Sequence, residues 1–407
     1  MMSAPRRRGT QKKQQDVANE LSETFVLLDN SSGQGAPSLL FDDPLDIIEA
    51  RTPAEVGAAL ERLEAALGRG LHAAGFFAYE LGYVLEPRLS GLMPANRNVP
   101  LLWFGLYRPP AVMTSEDVAR WLAERTSGPY QFTDVTHAWD AAAYQRRFDL
   151  TEEMIRAGDI YQLNLTFKAR FRLSGSPLAF YRDLRRKQPV AYGGIVDTGE
   201  VTVLSASPEL FIEQDGRVIE TRPMKGTAPR AGSEEADMEA RKTLSSDIKQ
   251  RAENLMIVDL MRNDLGRIAE IGSVSVTDLF TVETFHTLHQ MTSGVRATLR
   301  EGIGVTELLR AIFPPGSVTG APKIRAMELI AELEREARGV YCGSIGYLSP
   351  DGQARFNVAI RTPIVFRNGT GEMGIGSGIV ADSEGRKEYA ECLLKMKFLT
   401  DPPRISS

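Results

Sequence analysis

The sequence predicts a fold of the α+β class, because many short strand-like runs are mixed with helices without strict β-α-β alternation. Two alternating apolar and polar runs flank Asp215-Gly216, and this dipeptide between such runs is the strongest short-range signal of a β-hairpin. Of the 407 residues, 43% are hydrophobic and 25% are charged, which is typical of one large or two medium globular domains.

Charge and cysteine content argue against several classes of function. The net charge of -5 is mild and the basic residues are spread along the chain, so no nucleic-acid partner is expected. Cys342 and Cys392 form neither a metal-binding spacing nor a disulfide framework, which favours a reducing, cytoplasmic setting. No apolar run reaches the roughly 18 residues of a membrane span, so no membrane partner is expected either. Residues 1–20 are predicted to be a disordered basic tail.

Residues 21–135 are expected to form an N-terminal subdomain, and they show no catalytic constellation. Residues 52–70 predict an amphipathic helix, with Thr52 as N-cap, Pro53 at the first helical position and a glycine at the end. Residues 38–50 predict a strand and a turn, and the apolar runs at 76–87 and 99–109 predict strands.

A helix ended by Gly158 and a strand from Ile160 open the second part of the chain. Gln162, Asn164 and Thr166 alternate along that strand and share one face. Polar residues in this alternation usually face solvent, so solvent exposure is the expectation and a position in a functional site is the alternative.

The hairpin around Asp215-Gly216 is followed by Lys225, between Pro223 and Gly226. Proline fixes one backbone dihedral and glycine allows close approach, so the lysine is held in place. Nearby Arg222 and Arg230 would disfavour its charged form and make the amine nucleophilic. An ordinary exposed lysine is the alternative.

Residues 245–267 predict a long helix capped by Ser246 or Asp247. Its apolar face is expected to contain the residues near a 3.6-residue repeat, which are Ile248, Ala252, Leu255, Met256 and Leu260. Glu253 stands four residues after Lys249, so an i,i+4 ion pair and a functional role are both open.

Three further motifs lie towards the end of the chain. His286 and His289 have a spacing that zinc could use, but no cysteine, third histidine or HExxH pattern supports a zinc site. The Gly/Pro-rich loop around Ser317 offers backbone amides to an anion but lacks the Walker A order. A glycine-rich turn then feeds a helix where Glu388, Glu391 and Lys395 share one face; a magnesium site and a solvated helix face are both compatible with it.

Taken together, the motifs between residue 140 and residue 400 resemble the chorismate-utilising enzymes, a family that includes the first components of anthranilate synthase and aminodeoxychorismate synthase and the isochorismate and salicylate synthases. The resemblance is carried in order by the segments 158–165, 207–211, 223–227, 252–267, 315–323 and 376–383. It implies two large, mostly antiparallel β-sheets packed face to face with flanking helices, and a chorismate-binding catalytic domain at 140–400.

Lys225 makes the chain most similar to the aminodeoxychorismate synthase component I branch of that family. Anthranilate synthases usually carry alanine at this position, and isochorismate and salicylate synthases carry a lysine where this chain has Gln162. The resemblance therefore implies conversion of chorismate and ammonia to 4-amino-4-deoxychorismate, for p-aminobenzoate and folate synthesis. The alternatives are an anthranilate synthase component I and a catalytically inactive binding subunit.

The resemblance also implies roles for individual residues. Lys225 would be the nucleophile and Glu209 the acid, with Mg²⁺ held by Glu253 and Glu391 and with Glu388 close by. Apolar neighbours should raise the pKa of Glu209. The implied substrate contacts are Arg361, Tyr341, Ser317, Gly376, Gly378, Lys395, His289, Gln162 and Thr227.

No glutaminase constellation is present in the sequence, so ammonia is expected from a separate glutamine amidotransferase subunit. In some relatives the N-terminal third holds a tryptophan. A pocket for it would be expected near residues 38–41.

Overall fold

The computed structural model describes residues 24–33, 35–126, 128–284 and 288–400. The predicted tail at 1–20 and His286 lie outside these residues. The strands of the described part are β1 (Phe25–Asp29), β2 (Ser38–Phe41), β3 (Asp46–Ala50), β4 (His72–Phe77), β5 (Leu102–Tyr107), β6 (Ala111–Met113), β7 (Gln131–His137), β8 (Gln162–Ser174), β9 (Gly193–Asp197), β10 (Val201–Ser205), β11 (Leu210–Asp215), β12 (Val218–Arg222), β13 (Met224–Pro229), β14 (Ser275–Thr284), β15 (Leu288–Thr298), β16 (Gly320–Ala321), β17 (Ser344–Leu348), β18 (Ala354–Asn357), β19 (Ile364–Phe366) and β20 (Thr370–Ile379).

The α-helices of the same residues are α1 (Pro53–Gly68), α2 (Leu81–Leu85), α3 (Ser115–Arg125), α4 (Ala141–Arg156), α5 (Pro177–Lys187), α6 (Glu234–Ser246), α7 (Ile248–Gly266), α8 (Val305–Ile312), α9 (Lys323–Glu334), α10 (Gly385–Lys395) and α11 (Lys397–Thr400). Two short 3₁₀ helices, Pro87–Leu92 and Gly316–Val318, complete the elements. Within the described ranges, no helix has the length and apolar character needed to cross a membrane.

The strands form two ten-stranded sheets whose neighbours pair antiparallel, as the predicted fold class requires. The first sheet has the order β16-β8-β20-β19-β10-β9-β1-β2-β6, with β7 also paired to β8. The second has the order β13-β15-β12-β11-β18-β17-β4-β5-β3, with β14 also paired to β15. The hairpin predicted at Asp215-Gly216 is confirmed, because β11 and β12 pair on either side of it.

One apolar cluster joins the two sheets face to face. Val26 and Val203 from the first sheet belong to the same buried cluster as Phe76 and Trp103 from the second. Alternate residues of a strand point to opposite faces, so Leu27, next to Val26, joins a different cluster that includes helical residues. The molecule is therefore layered, with helices on the faces that the sheets turn away from each other.

Strands from before residue 135 complete both sheets. β1 pairs with β9 in the first sheet, and β4 pairs with β17 in the second. Residues assigned to an N-terminal subdomain therefore share two continuous sheets with the part that carries the motifs.

The predicted helix at 52–70 is α1, and its capping is as expected. Pro53 is its first residue, and the carboxylate of Glu55 accepts a hydrogen bond from the N–H of Thr52 at 2.9 Å. The predicted strand at 76–87 is wrong after its first two residues, because β4 ends at Phe77 and α2 follows. Residues 38–50 contain two strands, β2 and β3, rather than one strand and a turn.

The predicted apolar face of the long helix is also wrong. Asp247 does cap α7, accepting a hydrogen bond from the N–H of Gln250 at 2.9 Å, but Ile248 is 85% exposed and Leu255 is 43% exposed. The buried positions are Asn254, Ile257, Val258, Met261, Asp264 and Leu265. The helix α7 packs against β15. Several of the apolar residues of α7 therefore lie outside the core.

Candidate active site

A cavity of about 480 Å³ opens between the second sheet, β20 of the first sheet and the helices α7 and α10. Nearly all the predicted site residues line it, although they come from distant parts of the chain. They are Glu209, Lys225, Thr227, Glu253, Ser317, Tyr341, Arg361, Gly376, Gly378, Glu388, Glu391 and Lys395. Gln162 and His289 are predicted site residues that are not part of the lining.

Lys225 lies on β13 in the wall of this cavity, and the next residue, Gly226, has a φ of 81°. Burial lowers the pKa of the Lys225 amine, and the positive charge of Lys395 lowers it further. The carboxylates of Glu253, Glu209 and Glu391 act in the opposite direction. Three carboxylates therefore stabilise the charged amine, but burial outweighs them and the pKa of Lys225 is lowered.

The predicted cause of this pKa shift is wrong, although its direction is confirmed. Arg222 is paired with Asp278 at 2.8 Å, and Arg230 is paired with Asp237 at 2.9 Å. Neither arginine is among the main influences on Lys225, because each is directed to its own acidic partner. Burial, which a short sequence window does not reveal, takes their place.

Glu209 lies just before β11 and is only 5% exposed. Burial raises the pKa of its carboxyl group to about 7, against the lowering effect of hydrogen bonds from the Ser317 hydroxyl and the Met224 N–H and of the charge on Lys225. The direction expected from its apolar sequence neighbours is confirmed. A carboxyl group with this pKa is part-protonated at neutral pH and can donate a proton.

Three carboxylates face the cavity from two helices, Glu253 from α7 and Glu388 and Glu391 from α10. Burial raises the pKa of Glu253, and the negative charges of Glu388 and Glu391 raise it further, while nearby lysines lower it. Glu391 is paired with Lys395 at 2.8 Å. A cation would relieve the repulsion among these carboxylates.

The ordinary i,i+4 ion pair considered for Glu253 is not formed. The Lys249 amine donates instead to the main-chain oxygen of Asp382 at 3.4 Å, although its charge still lowers the pKa of Glu253. Among the residues that the structure describes, no group of three or more His, Cys, Asp or Glu side chains is close enough together to hold a metal ion by itself.

Arg361 supplies an uncompensated positive charge to the cavity. Burial is the cause that lowers the pKa of its guanidinium group, and no carboxylate counters it. Across the described ranges, no hydrogen bond or ion pair from this guanidinium to another side chain is found. A buried arginine without an acidic partner favours an anionic ligand such as a carboxylate.

The glycine-rich segment at 370–379 is the strand β20, not the predicted turn. It pairs with β8 over ten residue positions, with Gly376 opposite Thr166 and Gly378 opposite Asn164. A Cβ atom on Gly374 would lie 1.9 Å from the ring of Tyr341. The glycines therefore allow close packing across a strand rather than a change of chain direction.

Gln162, Asn164 and Thr166 are buried, with 0%, 7% and 3% exposure, so their expected position in solvent is wrong. Residues 162–169 of β8 are buried at every position, so this part of the strand is covered on both faces. Asn164 lines the cavity, and the N–H of Thr166 donates to Glu334 at 2.9 Å. The alternation rule assumes one wet face, which β8 has only from Arg170 onwards.

His289 is fully buried on β15, away from the cavity lining. Its Nε2 atom lies 2.9 Å from Asp237 and its Nδ1 atom 3.1 Å from the Thr284 hydroxyl. Its two ring nitrogens therefore have partners within the protein, and this fits a structural role. Thr227 does line the cavity, where its hydroxyl donates to the side-chain oxygen of Gln290 at 3.0 Å.

Sequence reasoning missed several lining residues, including Gln250, Gln290, Met373 and Lys387. Gln290 donates to the main-chain oxygen of Gly226 at 2.8 Å and so supports the residue after Lys225. No short motif marks such positions. The burial of Gln290 inside β15 is evident only from the structure.

A second, small cavity of about 30 Å³ adjoins Leu39, within the segment considered for tryptophan binding. Asn30, Tyr192 and Tyr347 also line it. The Ser38 hydroxyl oxygen accepts a hydrogen bond from the N–H of Asn30 at 2.9 Å. Binding of tryptophan there stays a prediction.

Three known proteins are similar to this chain in sequence or structure. Aminodeoxychorismate synthase component 1 of Salmonella typhimurium is 37% identical over 347 residues, which cover 81% of this chain and 76% of that protein. Anthranilate synthase component 1 of Thermus thermophilus is 37% identical over 384 residues, or 86% of this chain and 82% of that protein. The crystal structure of anthranilate synthase component I from Streptococcus pneumoniae superposes with a TM-score of 0.77 at 29% identity, covering 90% of this chain and 93% of that one.

The sequence profile described as chorismate binding enzyme matches residues 24–401, which is nearly the whole chain. The match includes the strands before residue 135 as well as the segments that line the cavity. This chain belongs to the chorismate binding enzyme family.

Proposed function

We propose that this protein converts chorismate and ammonia to 4-amino-4-deoxychorismate, the reaction of an aminodeoxychorismate synthase component 1. The observation that carries the proposal is the shared cavity of Lys225 and Glu209, an amine with a lowered pKa and a carboxyl group with a raised one. These two groups are suited to attack on a ring carbon and protonation of a leaving hydroxyl group. Relatives with this name support the assignment.

Chorismate carries two carboxylates, and the cavity has positive groups for them. The unpaired guanidinium of Arg361 would bind the enolpyruvyl carboxylate, next to the ring of Tyr341. Ser317 and the main chain around Gly376 and Gly378 would add contacts to the substrate. These contacts would hold the ring between Lys225 and Glu209.

The first half of the reaction forms a covalent adduct. The neutral amine of Lys225 bonds to carbon 2 of the ring, the ring double bonds shift, and the bond from carbon 4 to its hydroxyl oxygen breaks. Glu209 donates its proton, so the hydroxyl group leaves as water. An unprotonated hydroxyl group is a poor leaving group, and the raised pKa of Glu209 meets this need.

The second half releases the product. Ammonia bonds to carbon 4, the double bonds shift back, and the bond between carbon 2 and Lys225 breaks with its electron pair returning to the lysine. The new ammonium group gives a proton to the Glu209 carboxylate, which restores the acid. The enolpyruvyl group is retained.

Magnesium is part of the proposal, because the carboxylates of Glu253, Glu388 and Glu391 face one cavity and repel one another. Glu253 and Glu391 would hold the ion, with Glu388 close by. Magnesium binds through one or two carboxylates and completes its shell with water and an anionic substrate, so three clustered protein ligands are not required. When bound, the ion would anchor the ring carboxylate and withdraw charge from the ring.

Ammonia would be supplied by a glutamine amidotransferase subunit. Burial raises the pKa of Cys342 to about 12 and of Cys392 to about 11, so neither thiol is suited to be a glutaminase nucleophile. The names of the relatives as component 1 support a partner subunit. The product would then serve p-aminobenzoate and folate synthesis in the cytoplasm.

Product analysis tests this proposal. The purified protein is incubated with chorismate, an ammonium salt and magnesium, and the products are separated by mass. We expect 4-amino-4-deoxychorismate without release of pyruvate, and no reaction when magnesium is removed by a chelator. Release of pyruvate and fluorescent anthranilate would overturn the proposal in favour of anthranilate synthesis, which relatives of similar identity are named for. No product of either kind would indicate an inactive binding subunit.

A further inference from the structure

Arg361, which is proposed to bind the enolpyruvyl carboxylate, has an unusual main-chain conformation. Its φ is 51°, in the left-handed region that residues with a Cβ atom rarely adopt. A residue persists in that region only where its surroundings hold it there, and such residues cluster at functional sites. Contacts around Arg361 must therefore fix its main chain in this conformation.

Arg361 lies where the chain crosses from one sheet to the other. β18 of the second sheet ends at Asn357, and β19 of the first sheet begins at Ile364. Within this short connection, Arg361 and its neighbour Ile360 both line the active cavity. An extended conformation at residue 361 would change the path of the connection, and the direction of the arginine side chain with it.

The Thr362 side chain closes a hydrogen bond across Arg361. Its hydroxyl donates to the main-chain oxygen of Ile360 at 2.8 Å, so the residues before and after the arginine are joined directly. Thr362 is 0% exposed, so the bond is protected from solvent. The main-chain oxygen of Arg361 itself accepts the N–H of Ala206 at 3.1 Å. One side-chain bond and one main-chain bond thus fix the turn.

A second buried hydroxyl orients the hydroxyl of Thr362. The Oγ atom of Ser205 lies 2.9 Å from the Oγ1 atom of Thr362, and Ser205 is also 0% exposed. A hydroxyl has one hydrogen, and Thr362 uses its own on a carbonyl oxygen, which can only accept. Ser205 is therefore the donor in this pair. It accepts in turn from the side-chain N–H of Asn357 at 3.4 Å, so the row of donors directs the Thr362 hydrogen towards Ile360.

A structural role alone would account for a buried threonine whose hydroxyl is fully bonded. Ser205, Thr362 and Asn357 are not part of the cavity lining, so none of them is placed to contact the substrate. The left-handed conformation adds a functional reason for the bond. It spans the residue of this connection whose guanidinium group is proposed to bind chorismate.

We propose that Thr362 is a positioning residue, which holds Arg361 in its left-handed conformation so that the guanidinium group meets the enolpyruvyl carboxylate of chorismate. The inference rests on the proposed function and deepens it, because it names what sets the direction of the carboxylate-binding group. Thr362 would contact neither the substrate nor Lys225. Its loss should therefore weaken the binding of chorismate and leave the chemical steps unchanged.

The test is a double-mutant cycle on the KM for chorismate, measured with saturating ammonium and magnesium. Thr362→Val removes the hydroxyl and keeps the branched shape, and Arg361→Ala removes the guanidinium group. We expect KM to rise at least about tenfold in Arg361→Ala and about five- to tenfold in Thr362→Val, with kcat of the latter within about twofold of the wild type. In the Arg361→Ala background, Thr362→Val should change KM by less than about twofold, because the group that it positions is absent.

Thr151→Val is the matched control. Thr151 is also 0% exposed, and its hydroxyl donates to the main-chain oxygen of Arg147 at 2.8 Å, but it lies on α4 and is not part of the cavity lining. This variant should lose stability in urea unfolding without a change in the KM for chorismate. Thr362→Ser, which keeps the hydroxyl, should have the KM of the wild type. If Thr362→Val does not fold, Ser205→Ala takes its place in the cycle and should raise KM about two- to fivefold.

An equal rise in KM from Thr362→Val in both backgrounds would overturn the proposal, because the threonine would then act independently of Arg361. An unchanged KM in Thr362→Val, or a rise of the same size in Thr151→Val, would overturn it as well. An unchanged KM in Arg361→Ala would overturn both the proposed carboxylate contact and this inference. If the wild type forms anthranilate, the proposed reaction fails, but chorismate is the substrate of that reaction too, and its KM still decides the role of Thr362.

Discussion

Lys225 and Glu209 owe their chemistry to burial, which shifts the pKa of each towards neutrality. Burial lowers the pKa of the lysine and raises that of the glutamate to about 7. Each would be in the wrong protonation state for the proposed reaction if it were exposed to water.

Replacement of Lys225 should separate binding from chemistry. In Lys225→Ala we expect activity to fall at least a thousandfold, because the nucleophile is gone. Chorismate should still bind, since Arg361 and the carboxylates are intact. Intact-protein mass after incubation with chorismate should show an adduct in the wild type alone. Full activity in the variant would rule out the covalent step.

The raised pKa of Glu209 predicts a pH dependence of adduct formation. Donation requires the protonated acid, so the rate should fall as pH rises through about 7. Single-turnover mass measurements with chorismate alone avoid the separate titration of ammonium. In Glu209→Gln the rate should be much lower and should lose this decline. A wild-type rate that keeps rising above pH 8 would contradict the role of Glu209.

The same shift predicts an effect on stability. The folded-state pKa of Glu209 lies above its ordinary value of 4.5, so its contribution to stability is fully present below pH 4.5 and is lost as pH rises through about 7. Glu209→Gln removes this loss. Urea unfolding should show the variant to be more stable at pH 8, by up to about 3 kcal/mol, and equal to the wild type near pH 4.5. Equal stability at both pH values would show that the carboxyl group is not strained by burial.

At the scale of elements, the glycines of β20 decide how closely the strand approaches its neighbours. A Cβ atom at Gly374 would overlap the Tyr341 ring at 1.9 Å. Gly374→Ala should destabilise the protein by about 1–3 kcal/mol, through overpacking, and should raise the KM for chorismate by displacing Tyr341. Urea unfolding and steady-state kinetics measure the two effects.

Gly57 offers a control for this substitution. It lies inside α1, and no atom lies within 4 Å of the place where its Cβ atom would stand. Gly57→Ala should therefore stabilise the protein by about 0.5–1 kcal/mol, because alanine is the better helix former. A similar loss of stability in both variants would mean that the packing at Tyr341 is not the cause.

Local chemistry explains which elements the sequence could predict. The Asp215-Gly216 hairpin and the Thr52-Pro53 helix start depend on a few adjacent residues, and both are found. The face of α7 and the identity of β20 depend on partners far along the chain. Ile248 is exposed because α7 packs through another face, and residues 370–379 form a strand because they pair with β8. No short window of sequence could reveal either.

The candidate site shows the same division. Lys225, Glu209 and the carboxylates lie in recognisable motifs, and they meet in one cavity. The predicted solvent face of β8 is wrong because residues 162–169 of this strand are covered on both faces. His289 lies in a motif but bonds to Asp237 instead of lining the cavity.

At the scale of the whole molecule, one buried ion pair joins parts of the chain that frame the site. Arg338 bonds to Glu334 at 2.6 Å and donates to the main-chain oxygens of Asn164 at 2.7 Å and Val318 at 2.8 Å. Glu334 in turn accepts the N–H of Thr166 at 2.9 Å. The pair thus ties β8 to the loop that carries Ser317.

Arg338→Met should destabilise the protein by about 3–5 kcal/mol, because it leaves Glu334 buried and without its partner. Urea unfolding measures the change. Arg62→Ala is the control, since the pair of Arg62 with Asp46 is exposed and should contribute no more than about 1 kcal/mol. A loss below 1 kcal/mol in the Arg338 variant would show that the pair is dispensable.

The joining of β1 to β9 and of β4 to β17 has a practical result for anyone who wishes to trim the protein. A fragment starting at residue 140 would keep the groups proposed for chemistry but would leave bare N–H and C=O rows on three strands, β9, β17 and β8, because β7 would be lost as well. Such rows recruit other chains, so the fragment should precipitate or form aggregates when it is expressed alone. Mixing it with a separately made piece covering 21–139 should restore a soluble complex, because that piece supplies the missing strands.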